Sequence, residues 1–123
     1  MPSAENKYNL EDRLVAYAVQ VIALTESLPA TRAGNHIATQ LLRSGTSSAP
    51  NYGEAEAAES RKDFLHKMGI CLKELRESRI WLRIIIRRAL LSEKELTPVL
   101  CETEELIRIF NASIVTAKRN DTT

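Results

Sequence analysis

The chain has 123 residues, 44% of them hydrophobic, and its 17 Lys and Arg against 16 Asp and Glu give a net charge of +1. This length fits one domain with a real core, the composition is typical of a folded helical protein, and the charge excludes a chain that is basic all over. Because no apolar run of about 18 residues and no basic-then-apolar leader are present, we expect a cytoplasmic protein without membrane contact.

The first predicted helix begins after Asn9, which can act as its cap. Apolar residues then recur at alternating spacings of four and three, which is typical of a seam, meaning a row of side chains that faces the core of a bundle. Leu28-Pro29 ends the helix, because the residue before a proline disfavours helical geometry. The domain should therefore begin at residue 9, after a flexible segment of residues 1–8. The seam residues are Leu10, Leu14, Tyr17, Val21, Leu24 and Leu28.

The second predicted helix contains the stretch SAPNYGEAEAAES, residues 48–60, in which a proline and a glycine interrupt strong helix formers. A loop there would have roughly 12 residues, which is unusually long for a bundle link. Since a proline bends a helix without necessarily ending it, we predict one helix from Arg32 to Glu59, bent near Pro50. The small residues just before the proline should let a neighbouring helix approach closely. They are Ser44, Gly45, Ser47, Ser48 and Ala49.

The third predicted helix begins at an S-x-x-D start and keeps the four-three alternation for about four heptads. Its segment 80-IWLRIII-86 is apolar in nearly every direction, and such a helix must be buried on more than one side. In so small a protein the second partner is most simply another subunit. We therefore predict an oligomer with Ile80, Trp81 and Ile84 at its interface. The predicted seam is Phe64, Met68, Cys71, Leu75, Ser78, Leu82, Ile85 and Ala89.

The fourth predicted helix has glutamates early and Lys118 and Arg119 late, an order that suits the helix dipole. Although the sequence SEKE offers a capping box, we expect the regular helix to start near Thr97, with Pro98 in its first turn. The domain should end at residue 119, followed by a frayed tail of residues 120–123. Since no strand-period segment is visible, the four seams predict an all-α, antiparallel up-down four-helix bundle.

Cysteine and histidine spacings give no sign of a metal or cofactor. Cys71 and Cys101 lie in apolar helical patterns without a metal-ligand spacing, which favours two buried free thiols. Asp63 and His66 form one D-x-x-H pair, whereas ferritin-like bundles need two E-x-x-H pairs. We therefore expect no metal, no cofactor and no catalytic residues.

Three polar residues near the middle of the chain are interpreted as structural. Asn51 and Glu54 stand one turn apart beside the predicted bend, and Glu74 lies on the third helix. A bend frees backbone polar groups that need partners, so these side chains should either satisfy such groups or pair with arginines across the bundle. The candidate arginines are Arg43, Arg76 and Arg79.

Positive charge is concentrated in the third helix. Nine Lys and Arg lie between Ser60 and Leu91 against three acidic residues, a local charge of 9 − 3 = +6. Five of the nine fall on the side away from the seam. One such row is usually solvated, but repeated around an oligomer it becomes a band able to displace counterions from phosphates, with contact to backbone and shape rather than to bases. The row is Lys62, Lys73, Arg76, Arg83 and Arg87.

The stretch from Gln40 to Ile86 resembles the four-helix-bundle family named for proteins encoded in 23S ribosomal RNA intervening sequences. The matching parts are Q-L-x-R from Gln40, S-x-x-N-x-x-E from Ser48, K-x-F from Lys62 and E-x-R-E-S-R-x-W-L from Glu74. Where many relatives read N-I-A-E-G, this chain reads N-Y-G-E-A. The resemblance implies a ring-shaped homopentamer without established enzymatic activity. The family includes accessory proteins of diversity-generating retroelements, which are thought to hold nucleic acid on a basic outer surface beside a reverse transcriptase.

Together these observations predict a non-enzymatic, oligomeric nucleic-acid-binding accessory protein. Its partners would be further copies of itself, RNA or DNA, and a reverse transcriptase or another protein. A purely structural or protein-binding ring needs the same fold and stays open as an alternative. A further alternative is a helical HEPN-type ribonuclease, because Arg61 and His66 match the R-x4-H spacing of that class.

Overall fold

Four α-helices make up most of the part of the chain that the computed structural model describes, residues 9–121. They are α1 (Leu10–Ser27), α2 (Arg32–Glu56), α3 (Arg61–Arg88) and α4 (Glu93–Asp121). Each packs against the next along the chain, and α1 also packs against α4. Because the links between them have only four residues each, consecutive helices are antiparallel, and the predicted up-down four-helix bundle is confirmed.

Side-chain caps set the start of the first three helices. Asn9 Oδ1 accepts a hydrogen bond from the backbone N of Asp12 at 3.0 Å, as predicted for α1. Thr31 begins α2 and Ser60 begins α3 in the same way, each accepting a backbone N–H at 3.0 Å. These hydroxyl and amide oxygens satisfy donors that the first turn of a helix leaves without an internal acceptor.

α2 runs without interruption through Pro50 and ends at Glu56, three residues before the predicted end at Glu59. α3 ends at Arg88, one residue before the last member of its predicted seam. Ala89 adopts a left-handed conformation with φ 57° and donates its N–H to the last turn. Ala89 is therefore an exposed terminator and not a core residue.

The predicted start of α4 near Thr97 is wrong, because the helix begins at Glu93. Ser92 and Glu95 form a complete capping box: Ser92 Oγ accepts from the backbone N of Glu95 at 3.2 Å, and Glu95 Oε1 accepts from the backbone N of Ser92 at 3.3 Å. Pro98 consequently lies in the second turn of α4. It is exposed, so the carbonyl that it leaves without a helical donor can bind water instead.

The ends of the chain are only partly described. The segment predicted to be flexible, residues 1–8, lies outside the described residues, as do residues 122 and 123 of the tail predicted to fray. Asn120 and Asp121 continue α4. None of the four described helices combines the length and the apolarity that a membrane span requires.

The seams of α1 and α3 form most of the core. Nearly all of their predicted members are buried, and Leu10 and Phe64 are half-buried against them. Cys71 is buried as predicted, but Cys101 is exposed, which corrects the prediction of two buried thiols. The buried side of α4 is defined by residues 99, 103, 106 and 110, and position 101 lies about half a turn away from it.

A polar layer crosses this apolar core with one residue from each helix. Tyr17 Oη lies 2.7 Å from Thr103 Oγ1, and Ser44 Oγ lies 2.8 Å from Ser78 Oγ. All four side chains are buried, and burial raises the pKa of the Tyr17 phenol. Because each hydroxyl has a partner, the layer avoids the cost of unsatisfied polar groups and favours the helix register in which these partners meet.

The small residues of α2 permit the close helix approach that their size predicts. A Cβ atom on Gly45 would lie 2.6 Å and 2.8 Å from the two methyl carbons of Val21 on α1. On the opposite flank, Ser48 Oγ donates to the carbonyl of Cys71 on α3 at 3.2 Å. α2 therefore touches both of its neighbours through residues no larger than serine at this level.

Candidate nucleic-acid interface

Two of the three acidic residues of α3, Glu74 and Glu77, face α2, where one arginine holds both. Arg43 Nη1 donates to Glu74 Oε1 at 3.0 Å, and Arg43 Nη2 donates to Glu77 Oε2. Glu74, predicted to be a structural polar residue, thus pairs with one of the arginines proposed for it. Two of the three negative charges between residues 60 and 91 are therefore held on the side of α3 that packs against α2.

Several basic residues of α3 also have partners on neighbouring helices. Lys67 Nζ lies 2.6 Å from Glu54 Oε1 on α2, and this hydrogen bond raises the pKa of Lys67. Arg79 Nη1 lies 3.0 Å from a carboxylate oxygen of Glu104 on α4. Arg61 Nη1 donates to the backbone carbonyl of Ala117 at 2.9 Å. These three cations bind groups on neighbouring helices, and in this they differ from the residues of the outward row.

The five residues of the predicted basic row are all exposed on α3. Four of them, Lys62, Lys73, Arg83 and Arg87, form no ion pair within residues 9–121, and Arg76 has a long contact of 3.5 Å from Nη2 to Asn111 Oδ1. From residue 62 to residue 87 the row extends about 37 Å along the helix. The row therefore has no carboxylate partner among the described residues, whereas Glu74 and Glu77 of the same helix are paired with Arg43 on the side that faces α2.

The apolar residues predicted for the oligomer interface separate into two environments. Ile80 and Ile84 are exposed by 47% and 39%, on the outward side of α3. Trp81 lies on the side of α2 instead: it is half-buried, its ring meets His36 edge to face at 5.9 Å, and its Nε1 donates to Glu77 Oε2 at 3.1 Å. Trp81 thus already has partners within the protomer, whereas the two isoleucines have open surface.

Ile80 and Ile84 share their surface with the end of the basic row. Together with Arg83, Arg87 and Arg88 they line a shallow groove of about 490 Å³, which we call the α3 groove. From the sequence, the apolar segment and the basic row are predicted as two separate sites. The structure brings them together over the last two turns of α3.

Asn51 and Glu54, the other predicted structural polar residues, both have partners inside the bundle. Asn51 Nδ2 donates to the carbonyl of Ser47 at 2.9 Å and to its hydroxyl at 3.1 Å. The carbonyl that Pro50 leaves without a helical donor is that of Thr46, four residues earlier. Asn51 instead adds a hydrogen bond to the carbonyl of the next residue, Ser47. Glu54 is held by Lys67.

The residues that suggested catalysis are not assembled on one face of α3. Arg61 and His66 are five positions apart, which places them about 140° apart around a helix. Arg61 points toward α4, where it meets Ala117, while His66 is exposed. Within residues 9–121 no group of three His, Cys, Asp or Glu side chains could hold a metal ion.

A second apolar surface lies on α1 and is not among the predicted sites. Val15, Val19 and Ile22 are exposed, Val19 by 60%, and they follow one another at spacings of four and three. This alternation lies on the outer side of α1 and repeats the period of the buried seam, so the signal was present in the sequence. We call these three residues the α1 stripe.

The fold and the surface together define the class of protein. It is an up-down four-helix bundle with an outward basic row on α3 and exposed apolar patches on two helices. The profile described as "23S rRNA-intervening sequence protein" matches residues 7–112, and the chain belongs to this family, as its sequence motifs predict. A similar solved structure is the 1.70 Å crystal structure of a protein with unknown function from the S23 ribosomal protein family of Bacteroides thetaiotaomicron. It is 32% identical, with a TM-score of 0.79 over 85% of this chain and 96% of that chain. No curated protein matches this sequence.

Proposed function

We propose that the protein is a non-enzymatic, oligomeric scaffold that binds the backbone of RNA or DNA through the basic row of α3. One observation carries the proposal: Glu74 and Glu77, two of the three acidic residues of α3, are paired with Arg43 on the side that faces α2, and the outward row has no carboxylate partner among the described residues. Exposed cations without internal partners are the groups that can replace counterions on phosphates.

The chemistry of the row favours contact with phosphates over contact with bases. Its 37 Å length corresponds to about 11 base pairs of duplex at 3.4 Å each. The nearest Phe and Trp side chains, Phe64 and Trp81, are half-buried, and the exposed ring beside the row is the imidazole of His66. The row therefore offers no exposed Phe, Tyr or Trp ring on which a base can stack. Binding should therefore show a strong salt dependence and little sequence choice.

One row of five cations binds phosphates weakly, and an oligomer carries several copies of the row. Ile80 and Ile84 supply exposed apolar surface for contact between copies, and a ring of five subunits is what the family resemblance implies. Several rows on one particle raise the effective concentration of phosphate-binding groups without any new chemistry. A reverse transcriptase or another protein would then use the nucleic acid held by this scaffold.

The test replaces three residues of the row that lie outside the α3 groove, as the variant K62Q/K73Q/R76Q. Binding to a labelled duplex and a labelled single strand is followed by fluorescence anisotropy between about 50 and 200 mM salt. We expect weaker binding and a salt slope that falls by about 0.9 for each duplex phosphate that the variant no longer neutralises. The variant R32Q/K94Q/R108Q removes the same charge from exposed positions of α2 and α4 and serves as the matched control.

The outcomes separate the candidate functions. An equal weakening in the control variant would show that net charge and not the row determines binding. Absence of salt-dependent binding by the unmodified protein would favour the protein-binding ring. Shortening of the RNA, abolished by H66A, would revive the ribonuclease.

A further inference from the structure

The α1 stripe and the α3 groove lie on opposite sides of the bundle. α1 and α3 each pack along α2 and α4, so they occupy diagonal corners. The core sides of both helices face inward, and their exposed apolar residues therefore point away from each other. Two surfaces arranged in this way cannot meet within one protomer.

The two surfaces are similar in extent. The α1 stripe runs from Val15 to Ile22 and the α3 groove from Ile80 to Arg88, which is about 10 Å and about 12 Å along the two helices. The arginines of the groove add apolar area to its isoleucines, because the stems of arginine side chains pack well on aliphatic surfaces. The groove is thus able to receive a short row of aliphatic side chains.

The charges around the two surfaces are opposite. Glu11 and Asp12 precede the α1 stripe by one turn, and Glu26 follows it by one turn. The only basic residue between positions 10 and 27 is Arg13, and Glu102 and Glu105 on α4 hold its guanidinium at 2.7 Å and 2.6 Å. The α3 groove, in contrast, carries only arginines as charged residues.

From this complementarity we infer that the α1 stripe of one copy occupies the α3 groove of another copy. The inference rests on the oligomer in the proposed function but needs no nucleic acid. A contact between two different surfaces is heterologous: each copy offers one of each kind, and the contact repeats from copy to copy. The assembly is a ring if the rotation between successive copies closes, and an open filament if it does not. A contact of α3 with α3, by comparison, would place arginines against arginines.

The arrangement divides the basic row. Arg83 and Arg87 belong to the groove and would meet the acidic ends of the neighbouring stripe. Lys62, Lys73 and Arg76 lie nearer the start of α3 and stay available for phosphates.

The test uses one glutamate substitution on each surface, V19E in the stripe and I84E in the groove. Both positions are exposed, so both variants should fold, which circular dichroism verifies. We expect each variant alone to be unable to assemble at concentrations where the unmodified protein is fully assembled. V115E, at an exposed valine of α4 that belongs to neither surface, should assemble normally.

Mixing the two variants distinguishes the possible interfaces. V19E keeps an intact groove and I84E keeps an intact stripe, so an equal mixture should form a one-to-one heterodimer and nothing larger. Native mass spectrometry with one variant isotopically labelled detects it. Normal assembly of V19E, a mixture that stays monomeric, or an unmodified protein that is monomeric at all concentrations would each overturn the inference. Nucleic-acid binding is measured in a separate experiment, so failure of one proposal does not prevent the test of the other.

Discussion

Replacing Gly45 by alanine should destabilise the bundle, although alanine is the better helix former. The added Cβ would lie 2.6 Å from one methyl carbon of Val21 and 2.8 Å from the other, closer than such atoms pack. Overpacking a core contact costs about 1–3 kcal/mol, while glycine to alanine in a helix gains about 1 kcal/mol. Taking about 2 kcal/mol for the overpacking, the net decrease in free energy of unfolding is about 1 kcal/mol.

The assay is urea unfolding followed by circular dichroism at one fixed protein concentration, because the stability of an oligomer depends on concentration. G53A is the matched control: it lies in the same helix, and its Cβ would meet nothing within 4 Å, so it should raise stability by about 0.5–1 kcal/mol. In a V21A background the two methyl carbons are gone and the Cβ of residue 21 remains 3.1 Å away, so G45A should lose most of its penalty. A stabilising G45A in the unmodified protein, or an undiminished penalty with V21A, would refute the close-approach argument.

Three further predictions concern the core and the cysteines. S44A and S78A should each cost about 1 kcal/mol, and the double variant less than their sum, because each single change removes the same hydrogen bond, as a double-mutant cycle measures. Ala89→Gly should raise the melting temperature, because glycine adopts the left-handed conformation at the end of α3 without strain, worth about 1 kcal/mol. A thiol reagent at mildly alkaline pH should label one cysteine per native chain, the exposed Cys101, because burial raises the pKa of the Cys71 thiol to about 12, and urea should expose the second.

The helices could be predicted from the sequence where local signals agree. Asn9 and Ser60 are side-chain caps, and the first seam residue follows one position after Asn9 and four positions after Ser60, so the predicted starts of α1 and α3 are correct. At α4 two local signals compete, and the capping box of Ser92 determines the start, whereas Pro98 is tolerated inside the helix. Ala89 has no local signal of a helix end, since glycine is the usual residue in that conformation.

The site was predictable as a row but not as an electrostatic arrangement. Spacing alone places the five basic residues on one side of α3. That Glu74 and Glu77 are held by Arg43 depends on the packing of α2 against α3, between residues more than 30 positions apart. The same packing places Trp81 against His36. The segment 80–86, which is apolar in nearly every direction, therefore exposes only part of its apolar surface.

The two proposed contacts of α3 should respond to salt in different ways. Phosphate contacts by Lys62, Lys73 and Arg76 weaken steeply as salt rises, because counterion release drives them. The contact between the stripe and the groove rests on Ile80 and Ile84 as well as on charge, and salt does not weaken apolar burial. A salt concentration that releases nucleic acid should therefore leave the assembly largely intact, with nucleic-acid binding depending on the ring and the ring independent of nucleic acid.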